Sequence, residues 1–129
     1  MAVLRQYLAS FILANGAIAV DIFVSSDGSG SGTIDAPYGS IQDAVDAAAA
    51  GDTIYLREGT YAPDVNIQVT KSGSSGSPIV IRPYEGEAVI VDGENMPGTP
   101  YGLDESLPND ERGIFHIEGA EYWEFYDLE

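Results

Sequence analysis

Residues 23–61 read FVSSDGSGSGTIDAPYGSIQDAVDAAAAGDTIYLREGTY, and this stretch decides the fold. It contains a short strand, a loop of glycine and serine, one amphipathic helix and then a strand of β-branched and aromatic residues. Only strand-like segments follow. This order is typical of a β-solenoid, because the first turn of a stack of strands leaves apolar side chains open to water and a helix with one apolar face can cover them.

The helix is predicted to begin at Ser40, whose hydroxyl can accept a hydrogen bond from a free backbone N–H, with Asp43 as a weak capping-box acid. Gly51 is predicted to end it, since glycine tolerates a left-handed backbone. Four apolar residues share one face of this helix: Ile41, Ala44, Val45 and Ala48. The narrow, alanine-rich stripe favours a helix that lies close on a flat layer of strands.

After the helix the hydrophobic pattern changes to that of short strands. Strands are predicted at residues 21–25, 53–57, 65–69, 79–82, 88–91, 113–117 and 122–128. Residues 65–69 alternate Val-Asn-Ile-Gln-Val, which is expected to place three apolar side chains on one face. Thr53, Ile79 and Ile114 are expected to open successive turns, with the irregular stretch at residues 92–112 absorbed as a loop. The sequence therefore predicts an all-β solenoid, and a sandwich or jelly roll of short strands is the structural alternative.

The charge of the chain limits its classes of partner. Its 129 residues include 21 Asp and Glu against five Lys and Arg, for a formal charge of −16. A protein this acidic repels polyanions, which argues against nucleic acid and anionic membranes as partners. The charge leaves room for Ca²⁺, although keeping an exposed surface soluble is enough to explain it. The chain has no cysteine, so disulfides do not indicate the compartment.

The N-terminus does indicate a compartment. A basic residue precedes an apolar run at residues 7–14, which is too short to span a bilayer. Ala17 and Ala19 place small side chains before a cut at Val20. Residues 1–19 are therefore predicted to be a signal peptide and the remainder to be secreted and extracellular. The alternative is an ordinary first helix, which an Asn-Gly pair would interrupt.

The loop DGSGSG at residues 27–32 cannot hold regular structure. Glycine-rich loops can cradle phosphate groups. This one lacks the Lys-Ser/Thr of a P-loop and the spacing of a dinucleotide fingerprint, so a plain flexible turn is the favoured interpretation.

Beyond these patterns, the chain resembles a known superfamily. The passages that carry the resemblance are FVSSDGSGSG, APYGSIQDAVDAAAAGDTIYLREGTY, KSGSSGSPIVIRPYEGEAVIVDG and RGIFHIEGAEYWEFYDLE. They are similar to the N-terminal region of secreted right-handed parallel β-helix proteins of the pectate-lyase-like superfamily. The family nine polysaccharide lyases are nearest, and the chondroitinase B and alginate lyase group is more distant. The resemblance implies a right-handed parallel β-helix, here its N-terminal turns with a capping helix.

Such lyases cleave a uronic-acid polymer by β-elimination, in which a base removes the proton α to the uronate carboxylate and the glycosidic oxygen leaves. The resemblance implies a lysine as the base and aspartates that hold Ca²⁺, which neutralises the carboxylate. In that family both come from turns downstream of the region that this chain resembles. No catalytic, cofactor-binding or metal-binding residue is therefore assigned here, and Ca²⁺ is expected only for the full-length lyase.

The basic residues of the chain are weak candidates for chemistry of its own. Lys71 lies in a Ser/Gly loop without an acidic or aromatic partner, where a solvated lysine is more common than a catalytic base. Arg57 and Arg82 close strands at turns, where a local carboxylate contact is expected.

The remaining polar candidates also favour structural interpretations. Asp92, Glu94 and Asn95 could form part of a calcium site, but calcium takes six to eight oxygens, so a plain turn is favoured. His116 has no second histidine as partner, and an outward or satisfied side chain is expected. A carboxylate pair for glycoside hydrolysis is considered among Glu118, Glu121 and Glu124, with a solvated face preferred. Sugar-stacking side chains are considered among Tyr122, Trp123, Phe125 and Tyr126, of which two are expected to point inward and two outward.

Residues 20–129 are thus predicted to be the cap and first turns of a β-helix domain that is truncated at its C-terminus. The expected function is that of the N-terminal portion of a secreted polysaccharide lyase acting on pectate or a related polyuronate. An acidic polysaccharide is the expected partner, and the chain is expected to be a monomer that is inactive alone. The alternative is a non-catalytic β-helix that binds glycans or acts as an adhesin.

Overall fold

The structure, a computed structural model, describes residues 18–96 and 113–129. Its elements in chain order are β1 (Asp21–Val24), α1 (Ile41–Ala47), β2 (Thr53–Leu56), β3 (Gly59–Tyr61), β4 (Ile67–Val69), β5 (Ile79–Pro83), a 3₁₀ turn (Tyr84–Gly86), β6 (Val89–Val91), β7 (Phe115–Ile117) and β8 (Trp123–Phe125). The predicted signal peptide and most of the predicted loop at residues 92–112 lie outside the described residues, so both stay predictions.

The strands form three parallel sheets. Strands β1, β2, β5 and β8 make the first sheet, β3 and β6 the second, and β4 and β7 the third. Every one of these neighbouring pairs is parallel. The chain visits the three sheets in the same order from β2 to β4 and again from β5 to β7, and this order is that of a solenoid. For the described strands, the antiparallel sandwich or jelly roll is wrong.

The interior is built from side chains stacked in register on the first sheet. One inward row is Ile22, Ile54, Ile81 and Phe125, and the row beside it is Val24, Leu56 and Pro83. Ile54, Leu56 and Ile81 are fully buried. Because side chains alternate between the faces of a strand, this register places every second residue of each strand inside.

The predicted openings of the turns are correct for two strands and wrong for the third. Thr53 lies opposite Val80, one residue from the predicted Ile79, and Val80 lies opposite Glu124 on β8. Ile114 instead precedes β7, which pairs with β4 in the third sheet. The pattern of apolar residues identifies β7 as a strand. Because loops between solenoid turns vary in length, the number of residues between Ile79 and Ile114 does not predict which sheet β7 joins.

Helix α1 begins as predicted and buries the predicted face. Ser40 caps it, with its hydroxyl oxygen accepting a 3.1 Å hydrogen bond from the Asp43 N–H. All four residues of the apolar stripe are buried. The helix packs against β1, β2 and β4. No helix within residues 18–96 and 113–129 has the length and apolar character needed to cross a membrane.

The helix ends earlier than predicted, at Ala47, because a buried carboxylate holds the backbone that follows. The Asp52 side chain accepts hydrogen bonds from the N–H groups of Ala49 (2.8 Å) and Val20 (2.9 Å). Ala48 is already extended, and Gly51 has its positive φ of 90° in the next turn rather than at the helix end. Asp52 thus joins the end of α1 to the segment that leads into β1.

The predicted alternation at residues 65–69 is wrong at its start. Val65 is 43% exposed, whereas Asn66 is 1% exposed, and the strand itself covers only Ile67–Val69. The Asn66 carboxamide oxygen accepts a 2.8 Å hydrogen bond from the Gln68 side chain. A polar side chain therefore occupies the interior at this corner, where an apolar residue was expected.

We predict that the inward row of the first sheet carries much of the stability. Ile54→Ala should lower the free energy of unfolding by roughly 3–4 kcal/mol, because truncating a fully buried isoleucine loses transfer energy and leaves a cavity. The same change at Ile90, whose side chain is 44% exposed, is the matched control and should cost less than about 0.5 kcal/mol. Urea denaturation of both variants measures the difference, and equal losses would contradict the assigned interior.

Candidate functional site

The outward face of the first sheet carries a cluster of aromatic rings. Phe23 and Tyr55 are register partners on β1 and β2, and their rings stack with centroids 5.4 Å apart. The ring of Tyr84 meets both edge-on, at 5.4 Å from Phe23 and 5.5 Å from Tyr55. Edge-to-face and offset contacts at such distances are the favourable arrangements of aromatic pairs. The outward face of the first sheet therefore carries a surface of aromatic rings that pack against one another.

Two arginines lie on the same face, and the first is already paired. The Arg57 guanidinium is 5.2 Å from the Tyr84 ring centroid, and its Nε lies 2.8 Å from a carboxylate oxygen of Glu87. The Glu87 carboxylate also accepts a 2.8 Å hydrogen bond from the Glu58 N–H. This N–H and Arg57 lower the pKa of Glu87, while the hydrogen bond to Glu87 raises the pKa of Arg57. The predicted local carboxylate contact of Arg57 is confirmed.

The second arginine, Arg82, has a different environment. It lies opposite Tyr55 in the register, is exposed, and holds its guanidinium 5.5 Å from the Tyr126 ring centroid. The Tyr126 hydroxyl donates a 2.7 Å hydrogen bond to Glu124, and this carboxylate raises the pKa of Tyr126. Within residues 18–96 and 113–129 the ion pairs are those of Arg57 with Glu87 and His116 with Glu118. The predicted carboxylate contact of Arg82 is therefore wrong.

Sequence reasoning missed that arginine and tyrosine side chains share this outward face, although the sequence contains a signal for it. Arg82 and Tyr84 are two residues apart, so a strand at that position places both on one face. Which side chains on β2 and β8 join them depends on the register between strands, and that register links residues far apart in sequence.

Lys71 contributes to packing between turns. Its ammonium donates a hydrogen bond to the backbone oxygen of Asp46, in the last turn of α1. Its own backbone oxygen accepts a 2.7 Å hydrogen bond from the Trp123 indole N–H. These contacts agree with the structural interpretation of Lys71 rather than with a catalytic base.

The candidate calcium residues form a turn. The Asp92 carboxylate accepts a 2.9 Å hydrogen bond from the Glu94 N–H, as in an Asx turn. In the part of the chain that the structure describes, no three His, Cys, Asp or Glu side chains come together in a group that could hold a metal ion. These residues do not fit the six to eight oxygens that calcium takes, and the Ca²⁺ expected for the full-length lyase stays a prediction.

The other candidates near the C-terminus have separate partners. His116 lies 3.3 Å from Glu118, whereas Glu124 accepts the hydroxyl hydrogen bond of Tyr126 on another sheet. These contacts give no support to a paired-carboxylate site. Among the aromatic residues, Trp123 and Phe125 pack against the interior, while Tyr122 and Tyr126 are 49% and 43% exposed. The prediction of two inward and two outward rings is confirmed.

The Gly/Ser loop uses its backbone donors within the protein. The N–H groups of Gly28, Gly30 and Gly32 donate to the backbone oxygens of Ser25, Pro37 and Ala36. A Cβ on Gly30 would lie 2.2 Å from the Ala36 oxygen, so the loop is packed tightly rather than being a plain flexible turn. The phosphate cradle, which needs free N–H groups, is not supported by these contacts.

A cleft of about 510 Å³ lies between the start of α1 and residues 60–67. Polar groups of Gln42, Asp43, Asp64 and Asn66 line it beside apolar ones. The Asn66 amide nitrogen is buried without a hydrogen-bond partner. The sequence pattern does not predict this cleft, because the alternation at residues 65–69 places Asn66 on the face opposite the apolar side chains.

Comparison with known proteins finds a matching family and two proteins of similar sequence. Residues 22–129 match the family described as the Pel9A-like, right-handed β-helix region. The chain is 66% identical over 114 residues to the pectate lyase PEL9 of Emericella nidulans. This alignment covers 87% of this chain and 28% of that protein. It is 38% identical over 82 residues to the uncharacterized protein YwoF of Bacillus subtilis, covering 62% of this chain and 17% of that one. The chain thus spans less than a third of the length of these curated relatives.

One solved structure shows the same fold at low identity. The structure of a rhamnogalacturonan lyase aligns with a TM-score of 0.59 over 84% of this chain and 27% of that one, at 19% sequence identity. Together with the parallel strands, the match supports the β-helix architecture predicted from the sequence.

We predict that the Glu87 carboxylate stabilises the outward face in a pH-dependent way. Because its pKa is lower in the folded state than its ordinary value of 4.5, it stabilises the fold above that value and loses this effect as the pH falls through the lowered pKa. Glu87→Gln should therefore unfold at a lower urea concentration than the parent at about pH 7, and the gap should narrow at an acidic pH below the ordinary pKa of 4.5.

Glu85→Gln is the control for this experiment, since it removes a carboxylate from the neighbouring turn without breaking the contact with Arg57. A gap of the same size for Glu87→Gln at both pH values would contradict the assigned ion pair.

Proposed function

Because the chain belongs to the Pel9A-like right-handed β-helix family, we propose that it forms the N-terminal turns of a secreted polysaccharide lyase that cleaves pectate or a related polyuronate by β-elimination. The observation that carries the proposal is the 66% identity to a pectate lyase across most of this chain. The predicted signal peptide supports secretion.

In this proposal the described turns support the reaction without performing it. β-Elimination needs a base close to the proton α to the uronate carboxylate, and a cation that neutralises this carboxylate. Lys71 makes contacts that hold turns together, and the acidic side chains of the described residues do not gather into a calcium site. We therefore place the base and the metal ligands outside the described turns, in the downstream turns that the family resemblance implies.

Helix α1 acts as the cap of the first turn. Its buried stripe packs against β1, β2 and β4, the strands of the first described turn and the one beside it. The Gln42 side chain also pairs with the backbone of β4: its carboxamide oxygen accepts the Gln68 N–H at 2.7 Å, and its nitrogen donates to the Gln68 oxygen at 3.0 Å. It thus takes the place of a neighbouring strand and protects an edge that could otherwise pair with another chain.

The opposite end of the stack supports further turns. Ile54 and Ile81 are fully buried, whereas Phe125, the next residue in the same row, is only partly buried. Trp123 and Phe115 are likewise partly buried. A following turn would cover these rings as β5 covers β2.

A non-catalytic glycan-binding role is the second candidate. The outward tyrosine rings of the first sheet and the exposed Arg82 favour it, because aromatic rings stack on sugars and an arginine outside the described ion pairs can bind a carboxylate. The two roles are compatible, since a lyase must also hold the polymer outside its reacting residues.

We predict that the 129-residue chain alone does not cleave polygalacturonate, with or without added Ca²⁺, when unsaturated product is followed by absorbance. The parent gene read past Glu129 should encode further turns with a lysine and an aspartate cluster, and its product should be active. Turnover by the 129-residue chain would overturn the assignment of the chemistry to later turns. An inactive full-length product on every polyuronate would overturn the proposed lyase.

We also predict that the cap depends on Gln42. Gln42→Glu should lower the free energy of unfolding by about 1–2 kcal/mol, because the carboxylate cannot donate to the Gln68 oxygen and is repelled by Asp46, which now accepts a 2.9 Å hydrogen bond from the amide. Asp43→Asn, a carboxylate-to-amide change on the exposed side of the same helix, is the control and should cost less than about 0.5 kcal/mol. Equal effects in urea denaturation would contradict the cap.

A further inference from the structure

We propose that Arg82 and Tyr126 form an accessory site on the first sheet that binds the carboxylate of a single uronic-acid unit. This inference rests on the proposed function, since it concerns how these turns hold the polymer rather than how it is cleaved.

The first step of the argument is the difference between the two arginines of this face. Arg57 and Arg82 each lie over a tyrosine ring, at 5.2 Å and 5.5 Å. Arg57 is held by Glu87, so its charge is balanced inside the protein. Arg82 is exposed and takes part in neither of the ion pairs of the described residues. In a chain of formal charge −16, Arg82 is thus a cation that its acidic neighbours leave available.

The second step is the geometry of the donors. A guanidinium has five N–H donors in a planar fork that matches a carboxylate, and a contact with a ring face leaves most of them free. The ring of Tyr126 limits the positions that the Arg82 guanidinium samples. The ring itself is oriented by the hydrogen bond from its hydroxyl to Glu124. The donors are therefore partly ordered before any ligand binds, which lowers the entropy cost of binding.

The third step is the choice of a sugar carboxylate over other anions. Arg82 lies between Tyr55 and Tyr126 on neighbouring strands, which in a sheet are about 4.8 Å apart. Tyrosine rings on both sides offer apolar contact to a sugar ring. Glu124 lies next to the site, and it would repel a phosphate group of higher charge more strongly than a singly charged uronate.

The site is tested by binding of trigalacturonate to the ¹⁵N-labelled 129-residue chain, followed by NMR chemical shifts. A single arginine flanked by tyrosine rings should give a dissociation constant of about 1 mM. Arg82→Met should weaken binding about tenfold, and Arg82→Lys, which keeps the charge but not the planar fork, should weaken it about threefold. The fully methyl-esterified trisaccharide should bind the parent chain about as weakly as trigalacturonate binds Arg82→Met.

Arg57→Met is the matched control, because it removes the same group from the same face and should change the affinity less than twofold. Circular dichroism of each variant shows whether it is folded. If Arg82→Met is not folded, the affinity of Arg82→Lys is the measurement that tests the site. The site is refuted if the parent chain does not bind trigalacturonate up to about 10 mM, or if the methyl ester binds as tightly as trigalacturonate. It is also refuted if Arg82→Met and Arg57→Met bind trigalacturonate with the same affinity.

The proposed function is tested separately, by the β-elimination assay on the full-length product. A full-length enzyme that cleaves polyuronate, together with a 129-residue chain that ignores trigalacturonate, refutes the site and retains the function. Specific binding by the chain, together with a full-length product that cleaves nothing, retains the site and refutes the lyase.

Discussion

The structure depends on the parallel, in-register stacking of inward side chains, with Ile22, Ile54 and Ile81 directly above one another. Burying these residues fixes the register of the first sheet, because a shift by one residue would turn the whole apolar row toward water. The same register fixes the outward rows. Tyr55 and Arg82 are neighbours outside since Ile54 and Ile81 are neighbours inside, and the continuation of that row places Tyr126 beside Arg82. The outward chemistry is thus a consequence of the core.

A stack of parallel strands has two ends, and the chain treats them differently. At the first end, α1 supplies an apolar face and a glutamine side chain that hydrogen-bonds like a strand. Asp52 then holds the backbone beyond the helix, so that the chain turns into β2. At the last described turn, aromatic side chains are only partly covered. The last described turn is thus less covered than the first, and the pectate lyase relative is more than three times the matched length.

The sequence predicted what depends on local pattern. The start of α1, its buried stripe, the strands β2 and β5 and the division of the aromatic rings around β8 into two inward and two outward all follow from periodicity and capping. The predictions that were wrong depend on contacts between distant residues. The end of the helix is set by Asp52, the interior position of Asn66 by the corner it occupies, and the sheet of β7 by a loop of arbitrary length. The sequence predicts a nearby carboxylate for both Arg57 and Arg82. Glu87 is that partner for Arg57, whereas the ring that Arg82 contacts instead, among the described residues, depends on the geometry of three strands.

The most direct test of the account is the pattern of methyl NOEs in a sample labelled at isoleucine, leucine and valine methyl groups. Parallel stacking in the observed register predicts strong NOEs from Ile22 to Ile54 and from Val24 to Leu56, with Ile54 also joined to Ile81. An antiparallel arrangement of the same strands would instead join Ile22 most strongly to Leu56 and Val24 to Ile54. That second pattern would contradict the stacked architecture and, with it, the outward face inferred from it.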